Sequence, residues 1–106
     1  MSRSDSERIR DALSHIETLK RHLARGDLSE ETIADAVSLR LAASIEAVSE
    51  TSPELRDRVF GDDWRFIWGT RNRIAHSYAN IDFALIRSTV EQDLPRFEAL
   101  LRAEVD

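Results

Sequence analysis

Apolar residues recur at three- and four-residue intervals along most of the chain, which is the spacing of one face of an α-helix. The first stripe follows Ser4, whose spacing to Glu7 is typical of a helix capping box. It ends near Gly26, expected in the left-handed position after a helix. A second stripe extends from near Ser29 to about Glu50. The two stripes consist of Ile9, Leu13, Ile16, Leu19 and Leu23, and of Ile33, Val37, Leu41, Ile45 and Val48.

The second half of the chain predicts three further helices. Pro53 suits the first turn of a short helix that Gly61 ends. The Asp pair at 62–63 can cap the helix after it. A loop around 78–81 precedes the last helix, in which Pro95 predicts a kink. The apolar positions are Leu55, Val59 and Phe60, then Trp64, Ile67, Trp68 and Ile74, then Leu85, Ile86, Val90, Leu94, Phe97, Leu100 and Leu101.

Composition supports a small helical domain. The chain has 106 residues with three Gly and two Pro, and this scarcity of turn formers argues against a many-stranded β fold. The absence of Cys excludes disulfides and thiolate metal sites. No apolar run approaches the ~20 residues of a membrane span, and the N-terminus shows no secretory signal. We expect one all-α domain over residues 1–106, a four- to five-helix up-and-down bundle in the cytoplasm.

The net charge of −5 opposes long-range attraction of nucleic acid, so any RNA binding must come from a local patch. Lys20 is the single Lys among 15 basic residues, and the rest are Arg. Arg pairs with two phosphate oxygens at once through its planar donors. A GC-rich genome also favours Arg, so this bias alone does not indicate a function.

Unusual side chains concentrate in residues 64–78, where Arg71, Arg73, His76 and Tyr78 lie within eight positions. A His can move a proton and an Arg can hold charge on phosphate oxygens, which is the chemistry of attack by an RNA 2′-hydroxyl. On an unbroken helix, Arg71 and His76 point roughly 140° apart. They converge only if the helix ends near Ala75, or if two protomers contribute to one site.

A structural interpretation explains the same residues without catalysis. His76 could cap the carbonyls of a helix end, Arg71 could pair with Glu46, and Tyr78 could close the core. Trp64 and Trp68 could stack on bases, but core packing or a dimer seam explains them better. His15 and His22 lack a third ligand, so we interpret them as exposed surface residues rather than a metal site.

Residues 63–78, DWRFIWGTRNRIAHSY, resemble the signature of the HepT-like branch of the HEPN superfamily. That signature is a Trp, an Ile-x-Gly, and Arg-Asn-x-hydrophobic-x-His-x-Tyr. The flanks are also similar, at residues 36–41, at Glu46-Ala47 and at Asp93-Leu94-Pro95. The second helix departs from the family, because residues 42–47 lack the first Glu and the Gly of a common Glu-x-x-Gly-Glu-Ala. A close helix approach that requires this Gly is therefore in question.

The resemblance implies a dimeric helical bundle that is the toxin of a toxin–antitoxin pair. Arg71 and His76 would form the ribonuclease motif, with Asn72 in the same polar cluster, and two such motifs would line one cleft. The antitoxin partner would be a minimal nucleotidyltransferase that transfers AMP to Tyr78. ATP and magnesium would serve that partner, so no cofactor is implied for this chain.

Together these observations predict a metal-independent endoribonuclease that acts on RNA as a homodimer. His76 would be the acid or base, Asn72 would orient it, and Arg71, Arg73 and Arg65 would bind RNA phosphate. The alternative is a catalytically inactive HEPN module that binds a nucleotide or a partner.

Overall fold

The computed structural model describes residues 4–77 and 80–106. Over these ranges the chain forms five helices and no strand, which confirms the predicted all-α bundle. The first four are α1 (Ser4–Leu23), α2 (Glu31–Ser49), α3 (Pro53–Phe60) and α4 (Asp63–Ala75). The fifth is continuous and has three parts, namely α5 (Phe83–Ser88), a π-helical turn (Thr89–Asp93) and α6 (Leu94–Val105).

The core lies between α1, α2 and the C-terminal helix, where the predicted apolar stripes are buried. Burial of these side chains is the main favourable contribution to folding. None of the helices in the described part of the chain has the length and apolar character needed to cross a membrane. Fully buried core positions include Ile9, Ile16, Leu19, Val37, Leu41, Val48, Ile86 and Leu101.

Helix α4 packs differently, because none of its residues is fully buried. Trp64, Ile67, Trp68 and Ile74 are half-buried and pack against the core from outside. The opposite side of α4 faces solvent. The helix that carries the unusual side chains is thus a surface helix with one accessible face.

Gly61 and Gly26 lie in turns, and a different physical constraint favours glycine at each position. Gly61 adopts a positive φ of 55° after α3, as its predicted role as a stop requires. The left-handed conformation predicted for Gly26 is wrong. A Cβ there would lie 2.9 Å from Ile33 Cγ1 and 3.0 Å from Glu30 Oε1, so close packing excludes a side chain. Helix α2 also begins at Glu31 rather than near Ser29.

The last helix accommodates Pro95 through the π-helical turn that precedes it. Proline has no backbone N–H, and its ring crowds the carbonyl four residues earlier. The wider π turn takes up this misfit one turn before the proline, and the helix continues through Val105. The distortion predicted at Pro95 is therefore found at residues 89–93.

A buried carboxylate ties the start of α1 to the start of α3. Asp5 is 5% exposed, and its Oδ1 accepts from the Ser52 backbone N–H at 2.9 Å. Its Oδ2 accepts from Ser52 Oγ at 2.8 Å, while Ser52 Oγ caps α3 by accepting from Leu55 N. These hydrogen bonds hold the pKa of Asp5 below its ordinary value. The capping predicted for the Ser4 side chain lies outside the described part of the structure.

Asp5→Ala should lower the free energy of unfolding by about 1–3 kcal/mol, because Ser52 loses two buried acceptors. Asp11→Ala, at an exposed site on the same helix, should change it by less than about 0.5 kcal/mol. Urea denaturation at neutral pH measures both. Because the folded-state pKa of Asp5 is lowered, its contribution is present above the ordinary Asp pKa of about 3.9 and is lost as pH falls through the lowered value. Equal stability of the two variants would contradict this role.

Candidate active site

The residues singled out from the sequence lie on α4 and just after it. Helix α4 ends at Ala75, and His76 is its C-cap with φ −95° and ψ 5°. Convergence of Arg71 and His76 within one protomer requires a helix end near Ala75, and α4 ends at this residue. The first of the two conditions stated from the sequence is met.

Arg71 is held at the boundary between α4 and α2. Its Nε donates to Glu46 Oε2 at 2.7 Å, and its Nη2 lies 2.6 Å from the same oxygen. Its Nη1 donates to Asn72 Oδ1 at 3.1 Å. The guanidinium carbon lies 4.8 Å from the centroid of the Trp68 ring, within cation–π range. The side chain is 28% exposed, so the group is positioned and still reachable from solvent.

His76 is exposed and folds back onto the end of its own helix. Its Nδ1 lies 2.7 Å from the Asn72 carbonyl oxygen, which also accepts from the His76 backbone N–H at 3.0 Å. A carbonyl can only accept, so Nδ1 carries the proton in this bond. In the neutral ring, Nε2 therefore has a free lone pair, which is the form that can accept a proton from a substrate.

Asn72 is the residue that Arg71 and His76 share. Its side chain accepts from Arg71, and its backbone carbonyl accepts from His76. Within the described residues, Arg71 and His76 make no hydrogen bond to each other. The structure thus gathers the three predicted residues into one polar cluster through Asn72.

The two other predicted RNA-binding residues lie on the exposed side of α4. Arg73 Nη2 is 3.5 Å from Asp82 Oδ2, a long contact, and Asp82 also caps α5 through Leu85 N. Arg65 makes no ion pair with any residue that the structure describes. Tyr78, the predicted modification site, lies outside the described residues.

A family model described as Ribonuclease HepT-like matches residues 9–104. The chain belongs to the HepT-like ribonuclease family. The match includes α2, α4 and the whole polar cluster around Asn72, so the resemblance stated from the sequence is confirmed. A search of solved structures finds no match to this chain.

Two of the three contacts of the structural interpretation are also present in this HepT-like chain, and the third, at Tyr78, lies outside the described residues. Arg71 pairs with Glu46, and His76 caps a helix carbonyl. Neither contact uses all the hydrogen-bonding atoms of its side chain. Arg71 keeps two of its five N–H donors without a partner among the described residues, and His76 keeps its Nε2. The contacts therefore position both side chains and leave reactive atoms available.

The core accommodates the residue by which α2 departs from the family pattern. Ile45, which stands where the family often has Gly, is 3% exposed and packs inside the bundle. Glu46, the acidic residue that is retained, forms the ion pair with Arg71. The helix contact is thus built with a larger apolar side chain, and the polar link from α2 to α4 is intact.

The two Trp residues belong to the packing of α4. Their ring centroids lie 6.1 Å apart in a stacked arrangement, and both rings are half-buried against the core. Arg56 lies 5.6 Å from the centroid of Trp64, as Arg71 lies over Trp68. Core packing, one of the two explanations preferred from the sequence, is found for both indoles, and the dimer seam stays a prediction.

The prediction that His15 and His22 are exposed surface residues is wrong, because both are half-buried. His15 contacts α2. Its ring is half-buried, and Nδ1 lies 3.0 Å from Arg40 Nη1 on α2. Burial, followed by the charge of Arg40, lowers the pKa of His15. Among the described residues, no group of three or more His, Asp or Glu side chains could hold a metal ion.

Two residues beside the cluster received no functional role from sequence reasoning. Glu46 was named only as a possible ion-pair partner, although it fixes the position of Arg71. Phe66 was not considered, yet it is 77% exposed on α4. A signal was available, because Phe66 lies off the apolar stripe that contains Ile67 and Ile74. An aromatic residue on a solvated helix face has little reason to be there for folding alone.

Proposed function

We propose that this HepT-like chain is a toxin that cuts RNA as a metal-independent endoribonuclease. The observation that carries the proposal is the Asn72-linked cluster at the end of α4, in which His76 Nε2 and two Arg71 donors have no partner among the described residues. A proton-transfer group next to a guanidinium is the minimum that cleavage by the RNA's own 2′-hydroxyl requires.

The reaction transfers no group to the protein. The ribose 2′-oxygen attacks the adjacent phosphorus, the bond to the 5′-oxygen breaks, and a 2′,3′-cyclic phosphate and a 5′-hydroxyl result. His76 Nε2 would take the 2′-hydroxyl proton, or as imidazolium would give a proton to the leaving oxygen. Arg71 would hold the charge that builds on the non-bridging phosphate oxygens. Arg65 and Arg73 would bind flanking phosphates, and no cofactor takes part.

A homodimer would supply the second proton-transfer group that one protomer lacks. Each cleavage needs one proton removed and one delivered, and each motif has a single His. One feature of α4, Gly69, supports a seam on this face. Gly69 lies within the helix, where glycine costs roughly 0.5–1 kcal/mol relative to Ala. No atom of the described residues lies within 4 Å of a Cβ built on it, so packing within the described part of one chain gives no reason for this glycine.

Regulation would act through Tyr78, two residues beyond His76. The phenol oxygen would attack the α-phosphorus of ATP bound by a nucleotidyltransferase antitoxin, which releases pyrophosphate and leaves AMP on the tyrosine. Arg73 is exposed and only weakly paired with Asp82, so it could pair with the attached phosphate. The modification would then occupy the RNA phosphate site as well as block it.

The alternative is a HEPN module that binds a nucleotide or its partner without cutting RNA. The observation in its favour is that Glu46 already neutralises Arg71, which weakens the hold of that guanidinium on phosphate. Cleavage by the purified protein separates the two functions.

Arg71→Ala and His76→Ala should each lower RNA cleavage by at least about 100-fold, the usual effect of losing a charge-stabilising or proton-transfer group. Both variants should remain folded by circular dichroism, because neither side chain is fully buried. Arg10→Ala and His22→Ala are controls of the same residue types away from α4 and should cut normally. Cleavage should also persist in EDTA. Near-native cleavage by either site variant would exclude the proposed roles.

The second prediction concerns assembly. Sedimentation at micromolar concentration should give a dimer, and Gly69→Leu should raise its dissociation constant by at least about tenfold, because the side chain would stand in the seam. Gly69→Ala should show a smaller increase while its helix propensity stabilises each chain by roughly 0.5–1 kcal/mol. A fully active monomer would remove the shared site.

The third prediction concerns control by the antitoxin. Incubation with the partner nucleotidyltransferase, ATP and magnesium should raise the mass of the chain by one or more AMP units and suppress cleavage. Tyr78→Phe should still cut RNA but remain unmodified and active. If the partner silences Tyr78→Phe as fully as the wild type, control operates by binding alone.

A further inference from the structure

A cleft of about 310 Å³ lies between α4 and the C-terminal helix, beside the exposed Phe66. We propose that this cleft binds one nucleobase of a single-stranded RNA, which stacks on Phe66 and presents its polar edge to the rim. The inference rests on the proposed function and extends it. It assigns a substrate-binding subsite to residues outside the Arg71–His76 motif.

The walls of the cleft have the chemistry of a site for a flat aromatic ligand. Its apolar surface includes Phe60, Ile67 and Phe97, and the rings of Phe60 and Phe97 stack on each other at 5.7 Å. Phe66 stands at the edge with most of its ring in solvent. A volume near 300 Å³ lies at the lower end of the range for small-ligand sites, as a single base requires.

The rim adds polar groups that have no partner among the described residues. Gln92 and Asp93 come from the π-helical turn, Arg96 from α6 and Asp63 from the start of α4. The hydroxyls of Thr70 and Thr89 also line the cleft but already donate to helix carbonyls. The free groups can therefore bind a ligand edge without breaking an internal bond.

The charges of this rim favour some bases over others. Asp63 and Asp93 can only accept hydrogen bonds, so they match exocyclic amino groups. Arg96 can only donate, so it matches ring nitrogens and carbonyl oxygens. Guanine, adenine and cytosine carry an amino group, and uracil does not. We therefore expect a base with an amino group to be preferred to uracil. Guanine should bind best, because its adjacent O6 and N7 atoms can accept two hydrogen bonds from Arg96 while its amino group donates to an Asp.

The cleft lies within reach of the cleavage site along one helix. Phe66 and Arg73 are seven residues apart and so share a side of α4. Phe66 and His76 are ten residues apart, about 15 Å at the rise of an α-helix. That is the length of about four stacked nucleotides at 3.4 Å each. Arg71 is five residues from Phe66 and points roughly 140° away from it, beside Glu46. A strand with one base in the cleft would therefore pass Arg73 and turn around the end of α4 to reach Arg71 and His76.

An exposed Phe can also serve a protein interface, and substitutions at position 66 distinguish the two roles. Phe66→Trp keeps an aromatic face, Phe66→Leu keeps only apolar bulk, and Phe66→Ala removes both. Because the side chain is mostly in solvent, all three variants should fold normally. Stacking requires the aromatic face, whereas a hydrophobic seam tolerates Leu.

The probe is a fluorescein-labelled single-stranded RNA of mixed sequence with 2′-O-methyl groups, which cannot be cut. By fluorescence anisotropy at fixed salt, Phe66→Ala and Phe66→Leu should raise the dissociation constant about tenfold. That equals ~1.4 kcal/mol, the scale of one base stacked on an aromatic side chain. Phe66→Trp should change it by less than about twofold. With unmodified RNA, KM should rise in the same order while kcat stays near the wild-type value.

Several outcomes would overturn the proposal. Equal affinity of all three variants would remove Phe66 from RNA binding, and Leu binding as well as Trp would exclude stacking. Dissociation of Phe66→Ala to monomers, with Leu still dimeric by sedimentation, would assign Phe66 to a seam. If the wild type cuts RNA independently of Phe66, only this inference fails. If it binds the probe through Phe66 but cuts no RNA, the proposed nuclease fails and the base site stands.

Base preference provides the second test. A guanine placed once in a 2′-O-methyl oligouridine should strengthen binding about tenfold over the plain oligouridine, and Asp93→Asn should reduce this difference. Equal binding of the two oligonucleotides would contradict the assignment of the rim. Guanosine monophosphate should compete only at concentrations at least about 100-fold above those of the RNA. Competition at equal concentration would make the cleft a mononucleotide site instead.

Discussion

The geometry of the site depends on the ion pair between Arg71 of α4 and Glu46 of α2. Helix α4 has no fully buried residue, because its apolar side chains pack against the bundle from one side only. The ion pair and the stacking of Arg71 on Trp68 fix its rotation relative to α2. The same contacts orient the guanidinium and occupy part of its donors. Helix packing and the proposed phosphate binding therefore use the same side chain, so a substitution of Arg71 affects both.

Periodicity was sufficient to predict the five helices, because burial in a small helical bundle follows the 3.6-residue repeat. Periodicity was not sufficient to predict features that depend on contacts made only in the folded chain. Gly26 is required by the approach of Ile33 and Glu30, which only the folded turn brings near. The π turn has no signal in the apolar pattern of the sequence, because Ile86, Val90 and Leu94 recur every four residues. It shows only in the burial that the fold produces. Buried positions in the last helix are three or four residues apart, except for the five-residue step from Thr89 to Leu94.

The members of the polar cluster could be named from sequence, but their arrangement could not. Arg71, Asn72 and His76 are close in sequence, and the family signature singles them out. That Asn72 joins the other two through its side chain and its carbonyl depends on where α4 ends and on the backbone of His76. The role of Glu46 depends on a contact across 25 positions. Exposure of Phe66 depends on which side of α4 meets the core.

The π-helical turn has a consequence for how this chain makes a cavity. Its one additional residue keeps Ile86 and Leu101 in the core and widens the helix between them, at Gln92 and Asp93. The part of the cleft wall at Gln92 and Asp93 is thereby shaped by the number of residues in a turn, whereas the opposite wall is formed by aromatic side chains. Such a shape tolerates side-chain substitution and is sensitive to a one-residue deletion. During evolution, the polar groups on the rim could therefore diverge and change the chemistry of the cleft while this part of its outline persisted.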